Sequence, residues 1–238
     1  MKDIKVKKSR ESSESKRHCE GFLPEAISIF SAIVGTTRAI LIVGFMINAV
    51  FIIGCSKPSN LNTKDYAAWI ENPANGVCIT KKISDFEFAV LYKPIEYVVA
   101  MESKNKNISK DSILKRRENL KGYQYFTFRI RSLKDNEFLK TGMTSQNEYY
   151  ERLEYFVSNA QNDIKLVEEK DTIPCALYHF ERNYGISPYS SIVLSFEEKD
   201  NSNTKDKVFI YEDKVLGIGK IAIKIKGSEL SDLPKLNI

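Results

Sequence analysis

Residues 123–131 read YQYFTFRIR. Aromatic, β-branched and long polar side chains dominate the run, and none is a turn former. Side chains alternate between the two faces of a strand, so every second residue shares a surface. Phe126, Phe128 and Ile130 share one face. Tyr123, Tyr125, Arg129 and Arg131 form the other, which mixes rings with cations. The run therefore reads as a strand with one face in a core and one face turned outward.

The same period recurs on both sides of it. In residues 85–92, Phe86, Phe88, Val90 and Tyr92 alternate, and residues 76–83 read as a second strand. Further strands are predicted at residues 164–168, 173–181, 191–198, 207–211 and 220–226. In the last, Ile221, Ile223 and Ile225 alternate with Lys220, Lys224 and Lys226, so one face is wet. Helical spacing is found at residues 63–71, where Tyr66, Trp69 and Ile70 share a face, and at residues 95–101 and 112–120. Ser145 and Glu148 have the spacing of a capping box, in which each satisfies the other's backbone donor. Tyr149, Leu153, Phe156 and Val157 then lie on one helical stripe. Several helices with many alternating strands predict an α+β fold with a largely antiparallel sheet and helices packed on one face.

The whole chain has 238 residues, 42% hydrophobic and 28% charged, which is the composition of a globular protein. Its net charge of +5 is modest. Eight basic and five acidic residues precede Cys55, leaving 28 basic against 26 acidic residues beyond it. A nucleic-acid partner loses its electrostatic basis once that first stretch is set apart.

The first sixty residues change character abruptly. Residues 1–37 begin with a charged, Ser-rich stretch, read as a disordered basic extension or an extended start. Residues 39–54, AILIVGFMINAVFIIG, carry no charge, and Arg38 stands directly before them. Sixteen residues make a helix of about 24 Å, short against a bilayer core of about 30 Å but long enough for a signal-peptide apolar region. Ile52-Ile53-Gly54-Cys55, followed by Ser56-Lys57-Pro58-Ser59-Asn60, resembles the lipobox of bacterial lipoprotein precursors. Ile52 and Ile53 depart from the Leu and the small residue commonest there. The resemblance implies diacylglyceryl transfer to the Cys55 thiol and cleavage after Gly54. It also implies a membrane partner reached through the acyl chains on Cys55. Residues 38–54 are then a signal peptide, 55–62 a tether and 63–238 one domain. The alternative is a single uncleaved transmembrane helix, which residues 26–37 would lengthen.

The phrases WIENPANGV and YKPIEYVVA are similar in style to cell-envelope lipoproteins of Bacteroidota. In the lipoprotein family, a residue other than Asp after the cysteine, here Ser56, implies the outer membrane. Without an acidic cluster after Cys55, a periplasmic orientation is expected.

Chemistry-bearing motifs are scarce. Beyond the signal segment His179 is the one histidine, with Glu181 two residues along on the same strand face. Glu168-Glu169, Glu197-Glu198 and Glu212-Asp213 flank turns or strand ends, where solvated charge is the default. Gly217 and Gly219 read as hairpin glycines. No cofactor or metal site is implied. Cys78 and Cys175 are a candidate disulfide or two buried thiols. Lys115, Arg116 and Arg117 read as a solvated helix face. The candidate ligand face is Tyr123, Tyr125, Arg129 and Arg131, because rings and guanidinium groups together can hold a glycan or an anionic group. The expected function is a non-enzymatic anchored binding or accessory domain with an envelope glycan or protein partner. An envelope hydrolase with dispersed carboxylates is the alternative.

Overall fold

The computed structural model describes residues 59–104, 108–199 and 204–237. The extension, the signal segment, Gly54 and Cys55 lie outside them. The chain divides between Gly54 and Cys55, and the described residues all belong to the second unit, Cys55–Ile238.

In chain order the elements open with β1 (Asn60–Leu61) and α1 (Thr63–Glu71). A hairpin comes next, β2 (Cys78–Ile83) and β3 (Phe86–Lys93), then α2 (Ile95–Ser103) and α3 (Lys110–Leu120). Beyond them lie β4 (Tyr123–Ser132) and α4 (Gln146–Glu154). The remaining strands are β5 (Ile164–Glu168), β6 (Asp171–Glu181), β7 (Ser190–Glu197), β8 (Lys207–Glu212) and β9 (Lys220–Ile225). A short α5 (Gly227–Ser231) and β10 (Lys235–Leu236) close the described chain. The class is α+β, and each predicted strand and helix is present within a few residues of its expected ends.

Among the described residues eight strands form one sheet, in the order β2-β3-β4-β7-β6-β5-β8-β9. Every neighbouring pair in it is antiparallel. The two outer strands, β2 and β9, approach each other without ladder hydrogen bonds, so the sheet curls almost into a barrel. Eight strands leave an interior just wide enough for side chains to fill. Phe126, Phe128 and Ile130 are fully buried there, beside Phe88, Val90, Ile192, Leu194, Phe196, Phe209 and Tyr211. Phe126 and Phe196 meet edge-on at 5.4 Å and 84°, whereas Phe88 and Phe128 stack at 5.9 Å and 16°, arrangements that suit the ring quadrupoles.

The strands share two rims. One carries the end of β3, the start of β4, the end of β7 and the start of β8. β6 and β5 lie between β7 and β8 in the sheet. The segment between β4 and β5 crosses the opposite rim. It plugs that end with Phe138, Leu139 and Phe156, all under 3% exposed.

Three local readings need correction. Ser145 accepts from the Glu148 backbone N–H at 3.2 Å, as the capping box predicts. The Glu148 carboxylate instead reaches one residue further back, to the Thr144 N–H at 2.8 Å. The helical stripe also breaks: α4 passes into a π-turn at Tyr155–Asn159, which shifts its phase. Phe156 points into the core while Val157 is 58% exposed. Finally, the expected tether ends earlier than residue 62. Asn60 and Leu61 pair in parallel with Lys235 and Leu236, and Asn62 caps α1 by accepting from the Asp65 N–H. Leu61 packs against the core, which is the reason this stretch is held.

β3 is buried on both faces. Its inner face is the one that alternation predicts. Its outer face, Glu87, Ala89 and Leu91, is also under 9% exposed. α1 and α2 pack over that side, and the hydroxyl of Tyr97 on α2 donates to Glu71 at the end of α1.

Candidate functional site

Tyr123, Tyr125, Arg129 and Arg131 do share the outer face of β4, but they do not form one open surface. Tyr125 lies under the α2–α3 pair. It packs against Val99, Ile113 and Leu120, and its hydroxyl donates to the Leu120 carbonyl at 3.1 Å. Arg131 sits at the opposite end. Its guanidinium meets Glu87 Oε1 at 2.7 Å and lies 5.0 Å from the Tyr189 ring centroid. The Tyr189 hydroxyl donates to the same carboxylate oxygen at 2.9 Å. Burial pushes the Glu87 carboxyl up, but the hydrogen bonds from Tyr189 and Arg131 outweigh it and leave its pKa lowered. Tyr123 stands at the rim, 40% exposed. Two of the four residues thus have structural partners.

Arg129 faces a cleft of about 270 Å³ between α2 and the outer face of β3, β4, β7 and β6. Tyr97, Val98 and Met101 of α2 form its apolar side. Across the sheet, Arg129 stands opposite Ser191, which in turn stands opposite Glu181. Lys93, opposite Tyr125 in register, brings a second cation. Among the described residues neither Lys93 nor Arg129 has an ion-pair partner within 4 Å. Burial lowers the Lys93 pKa; the Glu181 carboxylate opposes that shift and Arg129 adds to it. Glu102 lines the same cleft, but its carboxylate is held at 2.7 Å by both Arg116 Nε and Nη2. Arg116, read as solvated, is thereby tied to α2.

Lys93 was not among the sequence candidates. Its importance comes from strand pairing, which places it on the same outer face as Arg129, four residues along the neighbouring strand from its partner Tyr125, so that both line one cleft. The one available signal was the Lys93-Pro94 step at the end of an alternating run.

The other candidates are dispersed. His179 is exposed on β6, with no hydrogen bond to Glu181. Glu168 is buried against Lys207. Glu212 pairs with Lys165 at 2.9 Å. Asp213 accepts from the N–H groups of Val215, Leu216 and Ile218 and so ties the β8–β9 hairpin. Gly217 and Gly219 both have positive φ in that hairpin, as their reading requires. Cys78 and Cys175 are both free and buried, and no disulfide joins them. They stand on β2 and β6, with β3, β4 and β7 between. Cys175 faces Phe196 inside the sheet, whereas Cys78 shares the outer face with Leu91. Their Cα atoms cannot approach to the ~6 Å a disulfide needs. Among the described residues no three His, Cys, Asp or Glu side chains converge on a point that could hold a metal ion.

A larger cleft, about 530 Å³, lies between α1 and α2 over Ala67, Ala100 and Met101. Its charged residues, Lys64 and Lys104, are both exposed. No helix among the described residues is long and apolar enough to cross a membrane.

No family model matches this chain, and neither the curated proteins nor the solved structures contain a significant match to it.

Proposed function

We propose that this chain is a lipid-anchored cell-envelope protein, and that the part beginning at Cys55 is a non-enzymatic binding or accessory domain. The observation that carries the anchoring is Ile52-Ile53-Gly54-Cys55, in which the cysteine directly follows the sixteen uncharged residues 39–54. Two acyl chains at one cysteine make attachment stable where a single chain is marginal.

The cleft beside α2 supports the binding reading. Lys93 and Arg129, without an ion-pair partner among the described residues, carry positive charge next to the apolar side chains of Val98 and Met101. Such a wall holds an anionic group with an apolar neighbour, as an envelope glycan or protein surface presents. An outer-membrane, periplasm-facing position follows from the lipoprotein resemblance and from Ser56.

Intact mass and detergent partitioning of the natively expressed chain, beside Cys55→Ala, test the anchoring. The expected mature species begins at an acylated Cys55 and disappears in the variant. An unprocessed chain that partitions with membrane in both forms overturns the anchor in favour of a spanning helix. For the cleft, Arg129→Ala is the informative variant, because Tyr125→Ala would also unseat α3. Loss of binding to anionic envelope fractions in Arg129→Ala is expected, and wild-type binding overturns the site.

A further inference from the structure

A separate cleft of about 180 Å³ opens at the rim where β3 ends and β4 begins. The β3–α2 turn bounds it on one side and Leu233 on the other. Gln124 lines it. This side chain is 2% exposed, and among the described residues neither its Nε2 nor its Oε1 has a hydrogen-bond partner. A carboxamide offers two donors and an acceptor, and buried groups of this kind are ordinarily satisfied. An apolar residue of similar size would fill the same place opposite Phe196 without leaving polar atoms unmet. A turn of the Gln124 side chain toward the cleft would bring them to a partner entering it.

The chemistry around Gln124 restricts that partner. Glu96 and Glu198 line the same cleft, and neither is ion-paired among the described residues. Two carboxylates accept hydrogen bonds and repel an anion. Lys93 reaches the cleft as well and disfavours a cation. Burial holds the Glu198 carboxyl above its usual pKa, which agrees with a sheltered position. Tyr123 supplies an aromatic ring at the edge, 40% exposed. The volume is below the ~300 Å³ at which drug-sized pockets begin, so the occupant is about one ring.

A neutral ring with adjacent hydroxyls meets these demands together. Each hydroxyl both donates and accepts, matching a carboxamide flanked by carboxylates. The carbon-bound face of the ring suits Tyr123. We infer that the rim cleft binds a single sugar ring, with Gln124 as its central hydrogen-bonding residue and Glu96, Glu198 and Tyr123 around it. The inference gives chemical content to the glycan partner of the proposed binding function. It rests on that reading, uses a cleft distinct from that of Arg129, and does not depend on the anchor.

The test is saturation-transfer NMR with glucose, galactose, mannose and N-acetylglucosamine, each at about 10 mM. The full chain is held in an amine-oxide detergent, which has no sugar head group. Wild type is compared with Gln124→Leu, Tyr123→Ala and Arg129→Ala, each checked by thermal melting. At least one sugar should bind wild type and Arg129→Ala alike. Gln124→Leu should weaken it at least about tenfold without lowering the melting temperature. Tyr123→Ala, altered at an exposed position, should also weaken it. Failure of all four sugars to bind wild type overturns the inference, as does equal binding by Gln124→Leu and Tyr123→Ala. The Arg129 cleft is judged separately, by its anionic probes, so either site can fail while the other stands.

Discussion

Lys207 stands directly opposite Glu168 in the β5–β8 ladder, and its ammonium meets Glu168 Oε1 at 2.5 Å at the rim where β5 ends and β8 begins. Lys207 is 1% exposed and Glu168 is 8% exposed. Two charges removed from water recover their desolvation cost only through each other. The pair therefore secures the register of β8 on β5 more than it adds net stability.

Removing one partner leaves a buried, uncompensated charge. Lys207→Met should cost about 3–5 kcal/mol in urea unfolding. The double variant Lys207→Met/Glu168→Leu should recover most of that loss, because apolar side chains of similar volume need no partner. A double variant as unstable as the single one would contradict this account.

Glu87 makes the fold acid-sensitive. Its carboxyl is depressed in the folded state, so its contribution to stability is complete above its unfolded pKa and fades as pH falls through the folded one. Arg131→Ala removes a hydrogen bond and the nearest opposing charge. The Glu87 titration midpoint, followed by carbon NMR, should rise, and acid unfolding should begin at higher pH. A midpoint unchanged by Arg131→Ala would exclude the ion pair as the cause.

Cys78 and Cys175 should be inert in the native protein. Burial raises both thiols, Cys175 to about 11, and the thiolate is the reactive form. Iodoacetamide at pH 8 should leave both unmodified until denaturant is added, with peptide mass spectrometry as the readout. A peptide mass showing the two joined would contradict their placement on separate strands and opposite faces.

Tyr125 and Arg129 should behave differently although they share a strand face. Tyr125→Phe loses the hydrogen bond to Leu120 and should cost about 1 kcal/mol. Arg129→Ala loses no ion pair and should stay within about 0.5 kcal/mol of wild type. Equal losses in both would mean that Arg129, too, has a structural partner.

The inner half of the sheet was legible in the sequence. Phe86, Phe88, Val90 and Tyr92, then Phe126, Phe128 and Ile130, alternate with a period of two, and every one of them is buried. Local sequence suffices there because a strand presents each second residue to the same surface. The α+β class followed from counting such runs against helical ones. The scarcity of chemical motifs and the cysteine before the polar stretch at residues 56–60 were likewise matters of residue type and spacing alone.

The outer half was decided by tertiary packing. The period along β4 groups Tyr125, Arg129 and Arg131 but is silent about what covers each of them. α3 receives Tyr125, Glu87 and Tyr189 engage Arg131, and Arg129 alone faces the α2 cleft. The same holds for Glu87 and Leu91, buried by helices that alternation along β3 does not reveal. On the inner face, alternation groups Gln124 with Phe126 but does not reveal that its carboxamide finds no partner among the described residues. Alternation is a property of one strand, whereas pairing, coverage and an unmet hydrogen bond are set by which other segments the folded chain brings beside it.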